Sequence, residues 1–175
     1  MEEKVVHCSI LQPRKMVNIK KLRVDEVPEI EGPRVLTSAE KGFELEELVY
    51  KASFDLPGLT HSFRENDIKK YFTDTSLNGI DHWIRAGTDH IFIQDKWKKS
   101  LNQKEVSQFL NCVSRIQSLL EEEGEVKIHL LWVSKCAPTS NSLKMLIERK
   151  VHIIIQDSST EDLAKLCIKK ILDIL

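Results

Sequence analysis

The chain has 175 residues, of which 41% are hydrophobic and 30% charged, enough for one core that needs neither disulfides nor a structural metal. Its formal net charge of −1 weighs against a protein that coats nucleic acid over its whole surface, and points any such contact to local basic patches. The four cysteines, Cys8, Cys112, Cys136 and Cys167, are scattered, with no CxxC pair and no histidine at zinc-finger spacing, so free thiols are expected.

The first residues, Met-Glu-Glu-Lys, lack the apolar run of a signal peptide, and no stretch reaches the length of a membrane span. A soluble intracellular protein, cytoplasmic or nuclear and without membrane contact, is the expectation. Residues 1–35 read as an accessory segment. Val5–Leu11 and Met16–Val24 are β-prone, Gln12-Pro13-Arg14 can turn the chain between them, and Glu26–Pro33 reads as a connector. Such a hairpin is a candidate surface for a protein partner, and Lys20, Lys21 and Arg23 give it a basic patch.

Thr37-Ser-Ala-Glu40 is a capping-box pattern, a hydroxyl followed three residues later by a glutamate. It predicts a helix to about Phe54, with Phe43, Leu45, Leu48 and Val49 among its apolar positions, stopped by Pro57-Gly58. Residues 59–78 are polar and mixed, with a short helix expected around Asp67–Phe72. Gly79–Arg85 and His90–Trp97 are β-prone runs joined by Ala86-Gly87-Thr88-Asp89, which is hairpin chemistry. Asn102-Gln-Lys-Glu105 starts a helix with Val106, Phe109, Leu110, Val113, Ile116, Leu119 and Leu120 on one face. A strand at Val126–Val133, a short helix at Ser142–Arg149, a strand at Val151–Ile155 and a helix at Glu161–Leu175 complete the chain. The last helix should turn Leu163, Leu166, Cys167, Ile168, Ile171 and Leu172 inward. An antiparallel hairpin leading into an alternating β/α half implies an α/β fold with a mixed central sheet flanked by helices.

Strand alternation sets Phe92, Gln94 and Lys96 on one face and Ile91, Ile93 and Asp95 on the other. The hairpin folds Asp81 back towards the polar pair, so an acid, an amide and a lysine converge. Phosphodiester hydrolysis needs such a set: oxygen ligands for a hard cation such as Mg²⁺, and a cationic group beside the attacked phosphate. Each residue also has an ordinary place, Asp81 as a turn acid, Gln94 as a polar strand end and Lys96 as one of the Lys96–Lys99 run.

Gly79-Ile-Asp81, followed after the hairpin by Ile93-Gln-Asp-Lys-Trp97, resembles the core of the PD-(D/E)xK nuclease superfamily. The glutamine form is similar to the Mrr-like restriction endonuclease branch, related to Holliday-junction resolvases. Gly42-Phe-Glu-Leu-Glu46-Glu-Leu-Val49 resembles the family's first helix, and the likeness runs over roughly residues 38–160. It implies a restriction-endonuclease-like nuclease domain over residues 36–175, with the N-terminal hairpin as an extension. It further implies Mg²⁺, replaceable by Mn²⁺, with Asp81 as central ligand, Gln94 as ligand through its side-chain oxygen, the Asp95 backbone carbonyl as a further ligand, Glu46 assisting, and Lys96 acting on the nucleophile. Two departures stand out: residues 57–78 are an insertion, and Ile80 replaces the proline that precedes the metal aspartate.

Trp97, Lys98 and Lys99 just beyond the motif, and Arg64, Lys69 and Lys70 in the insertion, are the candidate DNA contacts, with Tyr71 beside them. His82 should point away from Asp81 and serve packing or support, whereas His61 and His90 are candidates to approach the site. The expected activity is Mg²⁺-dependent endonucleolytic hydrolysis of DNA by a homodimer, since cutting two strands calls for two centres. The alternative is a nuclease fold retained as a non-catalytic scaffold or sensor that binds protein or nucleic acid. A small-molecule-binding α/β domain is disfavoured, because no Gly-rich phosphate loop follows a strand.

Overall fold

The computed structural model describes residues 34–122 and 124–175, so the segment expected to form an N-terminal hairpin and connector, with its basic residues and Cys8, lies outside the described residues. From Leu36 to Leu175 the chain forms one unit. Thr37 caps α1 (Ser38–Ser53) by accepting from the Glu40 N–H at 3.2 Å, while the Glu40 carboxylate accepts from the Thr37 N–H at 2.8 Å. The same reciprocal device, Asn102 with Glu105, opens α3 (Gln103–Glu121). Both helices therefore start where local capping chemistry satisfies orphan N–H groups.

Between them lie β1 (Leu59–Arg64), α2 (Glu65–Tyr71), β2 (His82–Ala86) and β3 (Asp89–Lys96). The segment of residues 59–78 thus contains a strand as well as a helix, where a mixed polar segment with one short helix was expected. β1 has no clean alternation, because its burial runs intermediate, exposed, exposed, then intermediate; its strand character comes from pairing with β2 from Leu59↔Ala86 to Arg64↔His82, with a register shift between Leu59 and His61. β2 also begins later than expected. Gly79, Ile80 and Asp81 precede the strand, although the Asp81 N–H donates to the Ile93 carbonyl at 2.9 Å and so extends the ladder.

Gly79 takes φ +101°, and a Cβ there would stand 3.1 Å from the Phe109 backbone nitrogen. Only glycine allows both this backbone conformation and that close approach. At the other end, Ala86 pairs with Asp89, and Gly87 with φ +62° turns the chain between them.

After α3 come β4 (Lys127–Ser134), α4 (Ser140–Glu148), β5 (His152–Ile155) and α5 (Thr160–Ile174). The sheet has five strands in the order β1-β2-β3-β4-β5; the first two pairings are antiparallel and the last two parallel. The mixed sheet flanked by helices is therefore as expected. Its two faces carry two cores. Trp83, Phe92 and Trp132 pack with Val106, Phe109, Val113 and Ile116 of α3, and Ile84, Ile91, Ile93, Leu131 and Val133 pack with Leu45 and Val49 of α1 and Leu163, Cys167 and Ile171 of α5. Each such fully buried side chain contributes roughly 2 kcal/mol relative to exposure.

Three apolar positions face solvent instead of the core expected for them: Phe43, Leu119 and Leu172. Helical period places them near the edge of an apolar stripe, and among the described residues no neighbouring element buries that edge. Among the described residues, Cys112, Cys136 and Cys167 are free thiols, and no helix is long and apolar enough to cross a membrane.

Candidate functional site

Asp81 enters the site from the backbone that Gly79 holds against α3. Its Oδ2 accepts from the Asp95 N–H at 2.9 Å and from the Lys96 ammonium at 3.1 Å, and also from the Gln94 side-chain amide. The convergence expected of Asp81, Gln94 and Lys96 is present. The amide nitrogen of Gln94 faces Asp81, and its oxygen would reach a cation there only with the amide turned about its last torsion.

Asp95 contributes more than its expected backbone carbonyl, which accepts from Gln94 Nε2 at 3.4 Å. Its carboxylate, 2% exposed on the α1 side of the sheet, lies with those of Glu46 and Asp81 so that one oxygen of each falls within 4.8 Å of the others. These three carboxylates could hold a metal ion. A charged residue between Ile93 and Trp97 on an otherwise apolar strand face was the signal for Asp95. What it lacked was a partner, and α1 supplies one by crossing that face.

Helix α1 carries three neighbouring acids, and tertiary contacts separate them. Glu44 accepts from the Thr160 hydroxyl at 2.7 Å, Glu47 pairs with Arg64, and Glu46 alone turns to Asp81 and Asp95. His82 faces the α1 side and its Nε2 lies 2.9 Å from Asp95 Oδ2, which fixes that carboxylate in the supporting role expected of the residue. His61 and His90 do not approach: both pair with Arg85, towards the turn end of the hairpin, whereas the site lies at its open end.

The electrostatics are those of crowded like charges in a dry place. Burial pushes the Asp81 carboxyl up to about 7, with the Asp95 charge adding to it and Lys96 opposing. Burial, then Asp95, likewise raises Glu46. Burial pulls the Lys96 ammonium down, but Asp81, Asp95 and Glu46 outweigh it and hold its pKa above the usual lysine value. Three carboxyl groups clustered beside one lysine, with Asp95 also held by His82, form a set that a divalent cation would balance.

A cleft of about 360 Å³ opens onto Glu46, Asp95 and Lys96, with Ser38, Ala39, Gly42, Phe43, Trp97 and Lys98 on its other walls. Asp81 and Gln94, at 8% and 1% exposure, sit behind them.

The expected DNA contacts fare unevenly. Trp97 is only 7% exposed and belongs to the α1 core, with the Lys135 and Lys41 ammoniums 4.8 and 5.7 Å from its ring, so it offers no open face. Arg64 pairs with Glu47 and stacks on Tyr50 at 3.9 Å. Lys69 and Lys70 pair along α2 with Glu65 and Asp67. Lys98 pairs with Glu105, and Lys99 lines a neighbouring depression with Lys135. Comparisons with family models, with curated proteins and with solved structures returned no match.

Proposed function

We propose that the protein is a Mg²⁺-dependent endonuclease of the PD-(D/E)xK kind, hydrolysing DNA phosphodiester bonds on a restriction-endonuclease-like fold and acting as a homodimer. One observation carries this reading: carboxylate oxygens of Glu46, Asp81 and Asp95 lie within 4.8 Å of one another, with the Lys96 ammonium 3.1 Å from Asp81 Oδ2. The donor set suits the ion, since hard oxygen ligands favour Mg²⁺, and Mn²⁺ would substitute.

When bound, the cation would activate a water and screen charge developing on the phosphate. Glu46, Asp81 and Asp95 would hold it, and His82 would keep Asp95 turned to it. Lys96, at the mouth of the cleft, would orient the attacking water and meet the growing negative charge of the phosphoryl oxygens. Gln94 would position Asp81 from behind, or ligate through its oxygen after its amide turns.

Purified protein with Mg²⁺ or Mn²⁺ is expected to cleave DNA and to stop on addition of EDTA. Asp81→Ala and Lys96→Ala are each expected to lower the rate at least about a hundredfold, the scale of a lost electrostatic or acid–base contribution. Full cleavage by Asp81→Ala would overturn the mechanism. A non-catalytic scaffold is the second reading, favoured by the ion pair in which Lys96 already balances Asp81. Its mark would be DNA binding without cleavage and without Mg²⁺ binding in calorimetry.

A further inference from the structure

The cleft has a wall that the chemistry above does not use. It is formed by the first turns of α1, and two of its residues are unusual there. Gly42 lies inside the helix, where glycine is a poor choice, and a Cβ on it would stand 3.8 Å from the Trp97 Cβ. Alanine would make ordinary contact at that position; any longer side chain would project into the cleft. Phe43, beside it, is 62% exposed at the cleft's edge.

The surrounding charge completes the picture. The three carboxylates would be matched by a divalent cation and Lys96, while Lys98 and Lys135 are paired with Glu105 and Asp157. Lys41 stands beside Trp97, one wall of the cleft, and Lys99 lies in the adjoining depression that shares Lys98 with it.

We propose that this wall takes one unstacked nucleotide, its base against Phe43 and its flanking phosphates towards Lys41 and Lys99, so that the preferred substrate is single-stranded or frayed DNA. The inference rests on the nuclease reading for its chemistry but not for its binding. An exposed flat ring offers a face to any base, and stacking of this kind is tolerant of sequence. In a continuous duplex the base faces are already stacked on one another, so Phe43 would gain nothing from it. The volume of about 360 Å³ is at the small end of the range for pockets that enclose a single small ligand, which suits one nucleotide.

The test is fluorescence anisotropy on the full chain with Ca²⁺ in place of Mg²⁺, using a labelled DNA strand and the duplex of the same sequence. Phe43→Ala is expected to weaken single-strand binding about five- to a hundredfold and to leave duplex binding within about twofold. Phe43→Trp should restore it. Gly42→Leu should weaken single-strand binding without lowering the melting temperature, because it fills the cleft while improving the helix. Tighter binding of the duplex, or equal effects of Phe43→Ala on both substrates, would overturn the inference. Cleavage assays on the same DNAs with Mg²⁺ separate the two readings. Selective binding with no cleavage defeats the nuclease reading alone, and cleavage indifferent to strandedness defeats this one alone.

Discussion

Glu46 and Glu47 are adjacent in sequence and chemically alike, yet they sit in different electrostatic worlds. Glu47 is held below the usual glutamate range by its hydrogen bond to Arg64, whereas burial and Asp95 raise Glu46. Glu46→Gln is therefore expected to weaken Mn²⁺ or Mg²⁺ affinity about tenfold or more, and Glu47→Gln to leave it within about twofold, as read by isothermal titration calorimetry. Equal effects would mean that the charge of the helix, and not a ligand at position 46, sets the affinity. The residue scale was legible in the sequence for Asp81, Gln94 and Lys96, whose convergence follows from strand alternation and one hairpin. It was not legible for Asp95, whose alternation put it on the packing face, since nothing local tells that a second acid will arrive there from a helix more than forty residues away.

At the scale of elements, the positions of the site residues depend on how the chain enters β2. Gly79, with its positive φ and its contact with the α3 backbone, is the joint that presents Asp81 one residue before the strand. Gly79→Ala must either shift α3 or change that backbone. A cost of about 1–3 kcal/mol is expected from the strained backbone, seen as a lowered denaturant midpoint, together with loss of cation affinity. A variant with unchanged midpoint and affinity would show that the close approach is not needed. The capping boxes of α1 and α3 were readable because their partners are three residues apart. Strand β1 was not, because an edge strand with half-exposed residues has no periodic signature and owes its form to β2. Trp97 was misplaced for the reverse reason: it follows a strand and precedes lysines, like an exposed flank, but α1 covers it.

For the whole molecule, the crowded carboxylates link stability to pH. The folded-state pKa of Asp81, about 7, lies above its ordinary value, so its contribution to stability is complete below about pH 4 and is lost as pH rises through 7. Glu46 acts in the same sense. His90 and His152 act oppositely, because burial lowers both and their cost appears as pH falls below the usual histidine value. The comparison that isolates the site is wild type against Asp81→Asn. Wild type should lose stability relative to Asp81→Asn as pH rises from 5 to 7, by at most about 1.4 kcal/mol per pH unit, and the difference should level off above pH 7. Saturating Mg²⁺ should offset the loss in the wild type only, since a cation competes with the proton for the same oxygens. A difference that stays flat with pH would show that Asp81 is ionised throughout.

Taken by itself, the amino-acid sequence determined the starts of α1 and α3, the β2–β3 hairpin, the mixed α/β order and the trio of Asp81, Gln94 and Lys96. All of these rest on capping, turn chemistry and side-chain periodicity acting over a few residues. Only the tertiary structure decided which of three acids on α1 faces the site, that the Asp95 carboxylate joins it, that Trp97 is covered, and that Phe43 is not. Those outcomes depend on which helix crosses which face of the sheet, and that is set by the burial of two cores formed from segments far apart in the chain.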